Sequence, residues 1–111
     1  MPRKAVKLNV RFSYNANRSL LQIWRWNFDT YDEEHANDYI SFLMKRTSAL
    51  DVNYLDARIV PTNPSFRYKT FRKSTGGHGH VVIYKVNPTD IYIVDFFHTA
   101  QDWQAKVAEM E

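Results

Sequence analysis

The chain has 111 residues, 44% of them apolar and 15% aromatic, enough for one hydrophobic core and too few for two, so a single domain over residues 1–111 is expected. It contains no cysteine, which excludes a disulfide frame and a thiolate zinc site, and no segment reaches the apolar length of a signal peptide or membrane span, so a soluble, unexported, cytoplasmic protein is expected. The formal charge of +3 is segregated: Arg3 to Arg25 holds six bases and no acid, Arg58 to Lys85 another six with none, and Asp29 to Asp38 five acids with no lysine or arginine. Such a pattern suits phosphates or an acidic protein partner, although a solvated surface also produces it.

Leu8, Val10 and Phe12 alternate with Lys7, Asn9 and Arg11, the period of a strand with one buried face. Ser13 to Asn15 supply helix caps, and Ala16, Leu20, Ile23, Trp24 and Phe28 recur at helical spacing, which predicts a first helix to about Phe28. Thr30-Tyr-Asp-Glu33 reads as a capping box that starts a second helix. Its apolar stripe is Ala36, Tyr39, Ile40, Leu43, Met44 and Thr47, with acids at the positive end and Lys45 and Arg46 at the negative end, as the helix dipole favours.

Asp51 to Ser65 contains Pro61 and Pro64 and no clear period, and reads as a surface loop. Three strand-like runs follow, Phe66 to Lys73, His80 to Asn87 and Ile91 to Phe97, separated by Gly76-Gly-His-Gly79 and Asn87-Pro-Thr-Asp90. Trp103, Val107 and Met110 give a short C-terminal helix one apolar face. The order predicts an α+β fold: an N-terminal strand, a helical hairpin, a three-stranded antiparallel meander and a short helix, with helices on one side of the sheet.

The stretch His80-Val-Val-Ile-Tyr-Lys-Val86, followed after a short turn by Ile91-Tyr-Ile-Val-Asp-Phe-Phe-His98, resembles the C-terminal half of ParE-type toxins of the RelE/ParE superfamily. The first strand, the helical hairpin and Phe71-Arg72 before the glycine turn are similar in order and spacing, so the resemblance spans nearly the whole chain. It implies the toxin of a type II toxin-antitoxin (plasmid stabilisation) system, causing growth arrest and silenced when an antitoxin segment wraps it. The resemblance leaves two targets open: ParE-like members inhibit DNA gyrase, whereas RelE-like members cut messenger RNA on the ribosome, and one fold serves both. A basic nucleic-acid-binding accessory domain is a third reading.

Metal-independent RNA cleavage needs a base for the 2′-hydroxyl, an acid for the leaving oxygen and cations for the phosphate. If the chain is a nuclease, Arg72, His80, Tyr84 and His98 are the candidates. His80 and Tyr84 share one face of an alternating strand, so they converge with Arg72 only if that face is exposed. Tyr84, flanked by Val82 and Val86, reads first as a core tyrosine with one hydroxyl partner, and His98 as a residue holding a backbone group. RelE-like nucleases begin the third strand's apolar run with an arginine, where this chain has Val81, and they end the last strand with bases, where it has Asp95-Phe-Phe-His-Thr99. The ParE-like reading is therefore preferred.

His78, His80 and His98 lack compact ligand spacing, so no metal is expected, and no motif calls for a cofactor. For binding of target or antitoxin the candidates are Arg67, Lys69, Phe71, Arg72, Lys73 and His80. The more apolar face of the first meander strand, Phe66, Tyr68, Thr70 and Arg72, is expected to pack on the helices. That would leave Arg67, Lys69 and Lys73 as a cationic sheet surface.

Overall fold

A computed structural model describes residues 6–73 and 77–110; Arg3 and Lys4 of the first basic run and Gly76 of the glycine turn lie outside the described residues. Strand β1 (Asn9–Phe12) ends at Ser13, whose hydroxyl caps helix α1 (Tyr14–Thr30) by accepting from the Ala16 N–H at 2.9 Å. Helix α2 (Glu33–Ser48) begins at Asp32, whose carboxylate accepts from the His35 N–H at 2.7 Å. The capping box expected at Thr30 is thus displaced. Thr30 is still in α1, and an aspartate two residues on caps α2, leaving only Tyr31 and Asp32 between the helices.

The segment expected to be an open loop is largely built. It holds helix α3 (Leu50–Asn53), a 3-10 turn (Tyr54–Asp56) and a two-residue strand β2 (Arg58–Ile59). Its buried anchors, Leu50, Tyr54 and Val60, follow no strand or helix period because each belongs to a different element. Strands β3 (Arg67–Phe71), β4 (His80–Val86) and β5 (Asp90–His98) and helix α4 (Trp103–Ala108) complete the chain.

The fold is α+β as expected, with the meander extended to a five-stranded mixed sheet in the order β1-β5-β4-β3-β2. Among the described residues only β1 with β5 is parallel, Asn9 facing Asp90 and Phe12 facing Ile93. Between β4 and β5 the register shifts: Ile83 faces Asp95 while Tyr84 faces Ile93, so Val94 is an extra residue, a β-bulge. Because of it, Ile91, Ile93 and Phe96 all reach the same core although their spacing breaks strict alternation. Asp95, beside the bulge, accepts the Ser19 hydroxyl of α1 at 2.5 Å, which ties the hairpin to the sheet.

Both faces of the sheet are covered. Ala16 and Leu20 of α1, Leu43 of α2, Leu50 and Tyr54 pack on Phe71, Val82, Tyr84, Ile91, Ile93 and Phe96. The opposite face carries a second core of Val60, Phe66, Val81, Ile83, Phe97 and Val107, with Trp103 on Tyr68 at 4.7 Å between ring centroids. The hairpin therefore takes one side and α4 the other, so the helices do not all share one side as expected: the apolar Val81, Ile83 and Phe97 face needs its own cover. Asn63 fixes α4 by donating its amide to the carbonyls of Val107 and Met110 at 3.0 and 2.9 Å, which supplies partners for orphan groups at a helix C-terminus.

Candidate functional site

Two groups of polar side chains stand out, a histidine cluster at one end of the sheet and a set of cations along β3. The cross-strand pair His80–His98 brings two imidazoles edge to face at 5.2 Å, and His78 lies 5.4 Å from the His98 ring. Tyr39 of α2 reaches across to His80, its hydroxyl 2.6 Å from Nδ1. Burial lowers the His80 pKa to about 4, with the neighbouring His98 pushing the same way, and burial raises that of Tyr39 to about 12. Both groups are therefore uncharged, and the bond between them runs in the direction that the imidazole tautomer sets.

His98 is spoken for by the backbone. Its Nδ1 accepts from the Ala100 N–H at 3.0 Å, and its own amide donates to Gln101. Burial and His78 lower its pKa as well. No group of three or more ligating side chains among the described residues has the arrangement of a metal site.

Tyr84 does not join this cluster. It lies four residues along β4 from His80, roughly 13 Å at the rise of a strand. Its ring has no exposed surface, and its hydroxyl donates to the Tyr54 carbonyl at 3.1 Å. Burial raises its pKa to about 12. Arg72 is exposed, and its Nε donates to the Gly77 carbonyl at 3.1 Å across the turn. Of the four candidates for nuclease chemistry, His80 and His98 meet, Tyr84 is sealed in the core and Arg72 lies over the turn.

The cations on β3 do not face as the sequence suggests. Arg67, Lys69 and Phe71 sit opposite Tyr84, Val82 and His80, so they lie on the face covered by the helical hairpin, while Phe66 and Tyr68 turn toward α4. The expectation assumed one bare face; instead α4 and Val60 cover the Phe66 side, and the hairpin stops short of Lys69. Phe71 and His80 are 5% and 9% exposed, too little to offer a docking surface. Arg67 and Lys69 are half-buried, and Lys73 is exposed.

Between the end of α2, α3 and the rim of β3 lies a cavity of about 180 Å³ lined by Arg46, Ala49, Leu50, Asn53 and the run Lys69-Thr-Phe-Arg72. In the sequence Arg46 shows only as a complement to the helix dipole and Tyr39 only as part of an apolar stripe. Nothing in the sequence signals their distant partners, since each contact is long-range. The signal available for Tyr39 was its polar tip on an otherwise apolar stripe, which demands a partner when partly buried.

A helical hairpin laid across a mostly antiparallel sheet is the arrangement of the RelE/ParE-like fold class. The chain belongs to the ParE family within it: the model of the ParE toxin of the type II toxin-antitoxin system parDE matches residues 10–103. It is a toxin component of such a system, and the partner its family implies is a cognate antitoxin. Its fold is shared with a solved chain titled as the chromosomal ParDE TA system from P. aeruginosa, at a TM-score of 0.70, with 15% identity over 83% of this chain and 96% of that one. No curated protein sequence is significantly similar to it. No helix among the described residues is long and apolar enough to cross a membrane.

Proposed function

We propose that the protein acts in the cytoplasm by binding and inhibiting DNA gyrase, without bond-making chemistry of its own, and that its cognate antitoxin neutralises it by covering the surface that meets the target. The observation that carries this reading is the position of the two best acid-base candidates. Tyr84 is buried with its hydroxyl bonded to a backbone carbonyl, and His80 is buried, neutral and bonded to Tyr39. A general base or acid must reach the proton it moves, and neither ring can reach a 2′-hydroxyl without unpacking the core. This placement supports a binding role over messenger-RNA cleavage, for which His98 and Arg72 are the named candidates that keep accessible surface.

The charges add a second support. Arg72 is exposed at the end of β3 with a single bond to a turn carbonyl, and Lys73 follows it. Arginine desolvated at an interface can contribute about 2 kcal/mol or more, roughly thirtyfold in affinity. Purified gyrase incubated with the protein should lose supercoiling activity, and induced expression should stop growth and raise DNA-damage signals. Arg72→Ala should weaken both effects. Codon-specific messenger cleavage on ribosomes with supercoiling intact would reverse the choice of target.

A further inference from the structure

The end of the helical hairpin stands apart from the rest of the fold. From Trp24 to Asp38 only Asn27 and Ala36 are buried, and no residue of this stretch belongs to either hydrophobic core. It holds itself together instead: Trp24 stacks on Phe28 with ring centroids 5.2 Å apart and donates its indole N–H to Asn37 at 2.9 Å. Trp26 and Tyr31, 59% and 60% exposed, meet edge to face at 6.1 Å, and Tyr31 lies on the exposed His35 ring at 4.1 Å. Single exposed apolar side chains are ordinary, whereas a contiguous run of rings with no core to serve marks a surface that meets something. The acids Asp29, Asp32, Glu33, Glu34 and Asp38 border these rings, and the one base of the stretch, Arg25, is paired with Asp29 at 3.7 Å. Capping and the helix dipole account for Asp32 and Glu33 but not for the rings.

A surface of opposite charge lies at the far edge of the sheet. β2 ends the strand order and has β3 on one side only. Ile59, 56% exposed, sits across the ladder from Arg67, and Leu55, four residues before it, is 58% exposed. Arg58 is exposed beside them. Among the described residues neither arginine forms an ion pair, since those pairs use Lys7, Arg11 and Arg25. Asp56 offsets one charge, and Lys69, on the same side of β3 as Arg67, restores it. This corner is therefore apolar and cationic where the hairpin end is aromatic and anionic. The two do not meet within one chain: Ser19 and Asp95 hold α1 over β5, and β2 is three strands away.

We propose that the hairpin end of one copy docks on the β2 corner of a second copy, the rings of Trp26 and Tyr31 covering Leu55 and Ile59 while Glu33 and Glu34 face Arg58 and Arg67. A second copy is the occupant that the charges favour, because the chain itself supplies the complement in both respects, apolar on apolar and acid on base. The contact is heterologous. Each copy offers one hairpin end and one corner, so the assembly grows by addition rather than closing as a two-fold dimer. With one helix turn against one sheet corner it belongs to the small, transient class of interface, below about 1,200 Å². The inference goes beyond the function proposed above and is independent of both gyrase and antitoxin.

The test uses the whole purified protein. In low salt its average mass by sedimentation should climb above that of the monomer as concentration rises, and at about 1 M salt, where the screening length is about 3 Å, most of the association should be lost. Two double variants locate the contact: Trp26→Ala with Glu34→Lys disables the hairpin end, and Arg58→Glu with Ile59→Ser disables the corner. All four positions are exposed, and circular dichroism checks that both variants fold. Each variant alone should need a concentration at least about tenfold higher to associate. Mixed in equal amounts they should form a dimer and nothing larger, because one productive pairing remains. Spectra of the wild type give a readout free of folding effects: the Trp26 indole and Ile59 methyl resonances should shift with concentration, and those of Val107 should not. A wild-type protein that stays monomeric in low salt would overturn the proposal. So would a corner variant that still self-associates, which would place the contact between two hairpin ends, or a mixture that stays monomeric. An oligolysine peptide that binds at Trp26 without competing with self-association would likewise overturn it and assign the hairpin end to a basic partner.

Discussion

His80 should make the fold acid-sensitive, and the size of the effect follows from its environment. The folded pKa is about 4 and the ordinary value 6.5. Above pH 6.5 the ring is neutral in both folded and unfolded chains and contributes no pH dependence. As pH falls below 6.5 the unfolded chain takes up a proton that the folded one refuses, so stability drops until the folded pKa is reached near 4. Between pH 7.5 and pH 5 the loss from this one ring is about 2 kcal/mol. That is a large share of the 5–15 kcal/mol typical of a domain, and at ordinary urea slopes it moves the midpoint by about 1 M. His80→Gln keeps an acceptor for the Tyr39 hydroxyl but cannot titrate. Urea melts of both proteins at the two pH values bring out the contribution of this ring, because the variant keeps every other histidine. The variant should lose about 2 kcal/mol less than the wild type on acidification. Equal losses would mean that His80 is charged or solvated in the folded protein and that its bond to Tyr39 has been misread.

Tyr84→Phe should cost about 1 kcal/mol in urea melts, the value of one buried hydrogen bond, and leave growth arrest intact; a collapse of toxicity with the fold preserved would restore Tyr84 as a chemical group. Gly79→Ala should destabilise by about 3 kcal/mol or prevent soluble expression, because a Cβ there would lie 2.1 Å from the Phe71 carbonyl oxygen; an unchanged thermal midpoint would show that β3 can move away. Val107→Ala should cost about 2 kcal/mol by opening a hole in the second core, measured the same way, whereas a helix resting loosely on the sheet would lose almost nothing.

The elements with a single period were readable from the sequence. Ala16, Leu20 and Ile23 mark α1, Leu43 and Thr47 mark α2, and the β4 and β5 runs are apolar enough to stand out. What escaped is where two devices share one stretch. Leu50, Tyr54 and Val60 belong to a helix, a turn and a loop in quick succession, so no window of residues shows a pattern, and the prolines concealed the order that Asn63 imposes. The facing of β3 was lost for a different reason. Both of its faces are partly covered, and alternation tells which residues share a side but not which side meets which layer. At the candidate site the sequence held His80 and Lys69 but not Tyr39 or Arg46, since neither spacing nor chemistry connects residues from an intervening helix to a later strand.

The parallel pairing of β1 with β5 also has a kinetic meaning. Asn9 waits for Asp90, 81 positions later, before its strand has any neighbour in the sheet. On the ribosome α1 and α2 emerge long before the strands that cover their apolar sides, and a contact of such long range is slow to close. The sheet can therefore be completed by β1 only when nearly all of the chain has been made, whereas the α1–α2 hairpin can form long before.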